Sequence, residues 1–161
     1  MRYADGPSTE ASIEIGAPPA AVWSLVSDIQ LPARFSSEFQ GARWLDDEHR
    51  RFAGRNHHPA IGEWETTSTV VECEPDRAFA WAVGEPENPS ATWRFSLEPT
   101  AGGASTRLTQ WMRMGPAPSG LNAAIDAMPD KEERIIARRL DEHRANMERT
   151  LAGIKEMAEG S

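Results

Sequence analysis

Cysteine is nearly absent from this chain. The one thiol, Cys73, leaves no partner for an intrachain disulfide or a multi-cysteine zinc site. With no histidine near it in sequence, it is expected to be buried and structural rather than reactive. Long apolar runs are missing as well. Nothing approaches the roughly 20 apolar residues a membrane helix needs. The opening MRYADGPSTEAS holds no stretch of signal-peptide length, so no stable membrane insertion and a cytoplasmic location are expected. Positive charge is in deficit, 17 basic against 25 acidic residues for a formal net charge of −8. No run of lysine or arginine can track a phosphate backbone, which sets nucleic acid aside as a partner. Histidine is scarce, four in 161 residues, and no H-E-x-x-H, paired cysteine or acidic triplet completes a coordination sphere. Neither a metal nor a cofactor is expected. Repeats and low-complexity linkers are lacking, so residues 1–161 are read as one domain, with 1–8 a flexible N-terminal arm. A chain of this length buries about two-thirds of its unfolded surface around a single core.

What is present is an ordered change of period. In STEASIEIGA, Ala11, Ile13 and Ile15 alternate with polar neighbours, the pattern of a half-buried strand. After Pro18 and Pro19, Ala21, Val22, Leu25, Val26 and Ile29 recur at helical spacing and predict a short helix ending near Asp28 to Gln30. LPARFSSEF predicts a second helical piece stopped by Gly41. Six strand-like segments follow, 42–46, 50–57, 63–73, 78–84, 91–98 and 105–114, divided by turn residues such as Pro59 to Gly62. Connections this short pair successive strands antiparallel, with one face on a core and the other in water. After a short helical lead-in at SGLNAAIDAM, the stripe Ile136, Leu140, His143, Met147, Leu151 and Ile154 predicts one long amphipathic helix from about Asp130 to just before Gly160. The charge run DKEERIIARRLDEHR reads as the solvated face of that helix, with no binding role.

One strand, two short helices, six strands and a long helix is an unusual order. Together with the phrases IEIGAPPAAVWSLVSDIQ, RFAGRNHH, WETTSTVVECEPDRAFAWAV, ATWRFSLEPTAGGASTRLTQ and ANMERTLAGIKEMAE, it resembles the START-like or helix-grip superfamily. The similarity is in particular to the bacterial polyketide cyclase/dehydrase branch, the SRPBCC proteins. The phrases cover nearly the whole chain, and none is a catalytic signature. The resemblance implies an α+β fold: a seven-stranded curved antiparallel sheet wrapped around the C-terminal helix, with two short helices between strands one and two. It further implies a mostly apolar cavity between sheet and helix. Members range from lipid and hormone carriers to aromatic polyketide cyclases, so the fold by itself does not choose a function.

Strand alternation says which side chains can line such a cavity. In RAFAWAV, Phe79, Trp81 and Val83 share a face opposite three alanines, and in ATWRFSLE the inward set is Trp93, Phe95 and Leu97. In TRLTQWMRM, Leu108, Gln110, Met112 and Met114 are the better inward choice, which leaves Gln110 as a polar group among apolar ones. Trp64, Thr66, Ser68 and Val70 fall together, as do Phe52, Gly54, Asn56 and His58, although a bulge would exchange the faces. The candidate ligand contacts are therefore Phe52, Asn56, Trp64, Thr66, Phe79 and Trp81 from the first half of the sheet. Trp93, Phe95, Gln110 and Met112 join them from the second half, and Leu140, His143 and Met147 from the helix.

The stretch RFAGRNHHP is the most polar of these strands. His57 and His58 point to opposite faces of a regular strand, so they cannot share one metal. Arg51, Arg55 and His57 are expected in solvent, with Phe52, Gly54 and Asn56 inside and Pro59 as the stop. A buried Asn56 amide must find hydrogen-bond partners, and a bound guest is one source of them. His143 is either a core or stripe-edge histidine or a cavity group whose ordinary pKa, near 6.5, suits proton transfer. Two functions fit. One is enclosure of a small hydrophobic or aromatic molecule, lipid- or polyketide-like, by a monomer or homodimer. The other is a polyketide cyclase or dehydratase with His143, Asn56, His58 and Gln110 as its candidate catalytic set.

Overall fold

The computed structural model describes residues 1–160. Period-2 segments form β1 (Ser8–Ile15), β2 (Phe39–Trp44), β3 (Arg51–His58), β4 (Gly62–Glu74), β5 (Ala78–Glu85), β6 (Asn88–Thr100) and β7 (Ser105–Met114). All neighbours are antiparallel, in the order β1-β7-β6-β5-β4-β3-β2. Hairpins carry the chain from β2 to β7, so only the β1–β2 connection crosses from one edge of the sheet to the other. The short helix α1 (Pro19–Val26) and a 3-10 turn at Leu31–Arg34 make that crossing. After β7 come α2 (Leu121–Ala127) and α3 (Glu132–Glu159), whose 28 residues make a rod about 42 Å long. Register shifts at Phe39/Gly41, Val70/Glu72 and Val83/Gly84 bend the sheet into a half-barrel.

The order of segments matches the expected one, with bounds that shift by up to three or four residues, as where β6 runs 88–100 rather than 91–98 and α1 ends at Val26; one segment differs in kind. LPARFSSEF forms only the turn at Leu31–Arg34, and β2 starts at Phe39 rather than residue 42. The Ser36 hydroxyl accepts the backbone N–H groups of Glu38 and Phe39, both at 3.1 Å, which competes with helical bonding and ends the helix early.

α3 does not lie centrally over the sheet. It packs chiefly along β1 and also touches β7, α1 and α2. The main core joins Ile15, Leu108, Phe95 and Met112 of the sheet to Val22 of α1 and to Ile136, Met147, Leu151 and Ile154 of α3. A smaller cluster, Ile29, Phe52 and Phe79 with Trp23, Trp44 and Trp81 against it, occupies the other end. Trp23 and Trp81 pack against both clusters, and residues of both line the open space described below. On the outer face of β5, Ala80 is registered with Glu72 and Arg94, and their ion pair at 2.8 Å spans it, which buries an alanine facing away from the core.

Two expectations are corrected here. Residues 1–8 do not hang free: Tyr3 is buried, its N–H donates to Glu132 at 2.7 Å and its hydroxyl donates to the Ala117 carbonyl at 2.7 Å. The Glu132 carboxylate stands at the first residue of α3, where the helix dipole favours an anion, and also holds Arg2. Cys73 is exposed, not buried, because residues 73–77 at the β4–β5 turn project beyond the packed part of the sheet.

Gly153 shows how close α3 is held. A Cβ there would overlap the Phe35 ring, so the ring rests directly on the helix backbone. Gly153→Ala gains up to about 1 kcal/mol of helix propensity. Overpacking against an aromatic ring costs roughly 1–3 kcal/mol. The expected result is net destabilisation of about 1 kcal/mol in urea melts, turning to neutral or stabilising when Phe35→Ala clears the space. A stabilising Gly153→Ala in the intact background would show the contact to be loose.

Candidate functional site

Between the two clusters, the concave face of β3–β7 and the near side of α3 enclose a cavity of about 580 Å³. That lies within the range of small-molecule sites. The segment 28–38 and the stretch leading into α2 complete its rim, through residues such as Asp28, Ile29, Glu38, Ser119 and Leu121.

Of the thirteen expected ligand contacts, all but Leu140 line this space. Phe52 and Asn56 come from β3, Trp64 and Thr66 from β4, Phe79 and Trp81 from β5, Trp93 and Phe95 from β6, Gln110 and Met112 from β7, and His143 and Met147 from α3. Trp81 is the hub of the aromatic wall. Its ring centroid lies 5.7 Å from Phe79, 6.0 Å from Phe52, 6.1 Å from Phe95 and 6.4 Å from Trp93, the last nearly parallel at 8°. Such pairs add to area burial. The face assignments hold because the bulge in β4 falls after Val70, beyond the cavity residues.

Leu140 is the correction among them. It is half-buried against the main core, one step round the helix from His143 on the side away from Arg139 and Asn146. The helix meets the cavity with His143 and Met147 from the edge of the apolar stripe and with Arg139, Asn146 and Thr150 from the polar residues beside it. Sequence reasoning passed over Arg139, Asn146 and Thr150 because they are polar. The 3–4 spacing through His143 was the available signal.

His58 is the second correction. It does not line the cavity with Asn56. Its Nδ1 accepts the Ala60 N–H at 3.0 Å, so its Nε2 carries the proton and donates to Glu142 at 3.1 Å. Glu142 is bonded in turn by Arg139 at 3.0 Å, and Arg139 holds both carboxylate oxygens of Glu38, the second at 3.2 Å. Glu38 and Arg139 are largely buried, with side chains 12% and 13% exposed. This cluster sits in the charge run expected to be wholly solvated, and it ties the segment before β2 to α3. Burial pushes the Glu142 carboxyl up, but hydrogen bonds from His58 and Arg139 outweigh it and hold that group below its ordinary value. Glu38, His58 and Glu142 each offer a metal-ligating atom within 4.8 Å of the others. The Arg139 guanidinium already matches the carboxylates, so a cation would have to displace it.

His143 sits edge-on to Trp93, centroids 5.1 Å apart. Burial in this wall pushes its pKa down to about 3, with repulsion from Arg139 and His58 adding to the effect and Glu142 opposing it. The ring is neutral at physiological pH, so it can accept or donate one hydrogen bond but is not a ready acid. Gln110 is 6% exposed, and its Oε1 has no hydrogen-bond partner. Its register neighbours, Ala11 on β1 and Phe95 on β6, have nothing to offer it. A buried amide in that condition is rare and points to a missing partner.

A family model described as polyketide cyclase/dehydrase and lipid transport matches residues 7–148. Among solved structures, a polyketide-cyclase-like protein from Corynebacterium glutamicum is 34% identical, with 96% of this chain and 92% of that one covered at a TM-score of 0.64. An aromatase/cyclase from a Streptomyces species is 17% identical over 96% of this chain and 94% of its own, TM-score 0.66. A START superfamily protein from Mycobacterium smegmatis is 15% identical over 83% and 97%, TM-score 0.55. These last two share the fold. No curated protein sequence matches the chain. No helix among the described residues is long and apolar enough to cross a membrane.

Proposed function

The chain belongs to the polyketide cyclase/dehydrase and lipid transport family, and on that premise we propose that it encloses one small hydrophobic or aromatic molecule between the sheet and α3. The observation that carries this reading is the 580 Å³ space whose wall is built around Phe52, Phe79, Trp81, Trp93, Phe95 and Met112. The cyclase alternative asks for an acid or base poised near neutrality. His143 is held neutral by burial, Asn56 and Gln110 do not titrate, and His58 is committed to Glu142 outside the lining. Binding without chemistry is the function this geometry serves best. The protein is proposed to act in the cytoplasm as a monomer or homodimer, without nucleic acid, metal or cofactor.

A neutral solvatochromic dye such as Nile red tests this. It should bind saturably at about one per chain, and at a hundredfold excess over its Kd a one-site ligand adds about 2.7 kcal/mol. For a domain of this size that raises Tm by roughly 5–10 °C. Absence of saturable binding and of any thermal shift across a panel of neutral apolar probes would falsify the reading.

A further inference from the structure

We infer that the cavity is built for a neutral oxygenated guest, an apolar ring system carrying hydroxyl or carbonyl groups, and that the Gln110 amide selects it over both the bare hydrocarbon and the carboxylate. This deepens the enclosure proposed above and rests on it.

Gln110 carries most of the argument. Its amide makes no hydrogen bond in the protein, and its Oε1 is shut off from solvent. An apolar guest leaves that amide unpaired, whereas a guest hydroxyl or carbonyl oxygen takes a hydrogen from the nitrogen, the amide atom that faces the open space. Sites built to bond a substrate oxygen discriminate against analogues lacking it, because their own polar groups are otherwise stranded. The rest of the lining repeats the chemistry. Among the described residues, Asn56, Thr66 and Ser68 on the β3–β4 side and His143 and Thr150 on α3 also make no side-chain hydrogen bond within the protein, and all five face the cavity. Uncharged donors and acceptors therefore stand on both walls, around an aromatic middle.

The charges decide against an anion. The charged residues lining the cavity are Asp28, Glu38 and Arg139. Among the described residues Arg139 is the one cation in the lining, and Glu38 and Glu142 together hold its guanidinium. His143 is neutral. A carboxylate guest would leave water, meet two fixed carboxylates and find no free counter-charge. A free fatty acid is for this reason a poor fit, and a phenol or ketone of similar size a good one.

Three probes of one shape separate the possibilities: pyrene, hydroxypyrene and pyrenecarboxylate, titrated at neutral pH by their own fluorescence. One net hydrogen bond is worth roughly 5- to 10-fold in affinity, so hydroxypyrene should bind that much more tightly than pyrene. Pyrenecarboxylate should bind most weakly. Gln110→Met, which keeps the unbranched shape, should bring hydroxypyrene to within about 2-fold of pyrene while pyrene affinity stays or rises. Gln110→Leu serves as a second variant, and pyrene binding reports that each is folded. Equal binding of pyrene and hydroxypyrene by the native protein, a carboxylate that binds tightest, or a hydroxyl preference that survives both substitutions would overturn the inference and leave enclosure standing. If none of the three binds, enclosure itself fails and this inference falls with it.

Discussion

Arg139→Met lowers stability by about 3 kcal/mol at neutral pH, the lower end of what breaking a buried ion pair costs. The lower end applies because one of the two carboxylates, Glu142, has a side chain 34% exposed and can recover some hydration. Glu38 cannot: at 12% exposed it keeps a desolvated charge with no cation beside it. The loss should shrink on acidification, since protonating the stranded carboxylates removes the penalty. In the native protein the sign runs the other way. The Glu142 carboxyl is held below its ordinary value of 4.5, so its contribution is present above that pH and is lost as the pH falls through the lowered folded-state value. Urea melts of the native and variant proteins should therefore draw together as the pH falls below 4.5. Adding Glu38→Gln to Arg139→Met should restore part of the loss, and Arg139→Lys should be intermediate, because an ammonium cannot hold two carboxylates in the planar forked geometry. A loss under about 1 kcal/mol, or one independent of pH, would mark the cluster as an ordinary solvated pair.

That cluster also shows where sequence reading stopped. The strands and the faces they present were legible because period 2 and period 3.6 are properties of neighbours along the chain. Trp81 and Trp93, or Gln110 and Met112, take their side from strand parity alone, and no bulge intervenes before they reach the cavity. Arg139 and Glu142 looked like solvent residues because burying a charge depends on its partner, and the distant partners are Glu38 for Arg139, 101 residues away, and His58 for Glu142, 84 away. The same holds for Tyr3, whose burial depends on Glu132 and Ala117. Leu140 and His143 share one apolar stripe in sequence. They were separated only when α3 settled along β1 instead of over the middle of the sheet, which turned the Arg139–His143–Thr150 side toward the cavity. The off-centre seat is the structural cause of the cavity: a helix packed across β4 and β5 would have filled it.

His143 gives the second large effect, because its neutrality is a stability statement as well as a chemical one. The folded ring takes a proton only near pH 3, while in the unfolded chain it does so near 6.5. Between those values the unfolded state binds more protons, so stability rises with pH and is lost on acidification. The slope is about 1.4 kcal/mol per unit once the unfolded histidine is mostly protonated, which sums to about 2 kcal/mol between pH 6.5 and 5. That window lies above the range of the lowered glutamates, Glu72 and Glu142, so it isolates the histidine. His143→Phe keeps a ring against Trp93 and removes the titration. Denaturant melts at pH 7 and pH 5 should show the native protein losing about 2 kcal/mol more than the variant over that interval. The His143 ring resonances should stay at their neutral-form positions through the same range. A titration near 6.5 in the folded protein, with no stability difference between His143 and His143→Phe, would place an exchangeable proton inside the cavity at physiological pH and reopen the acid–base reading of this site.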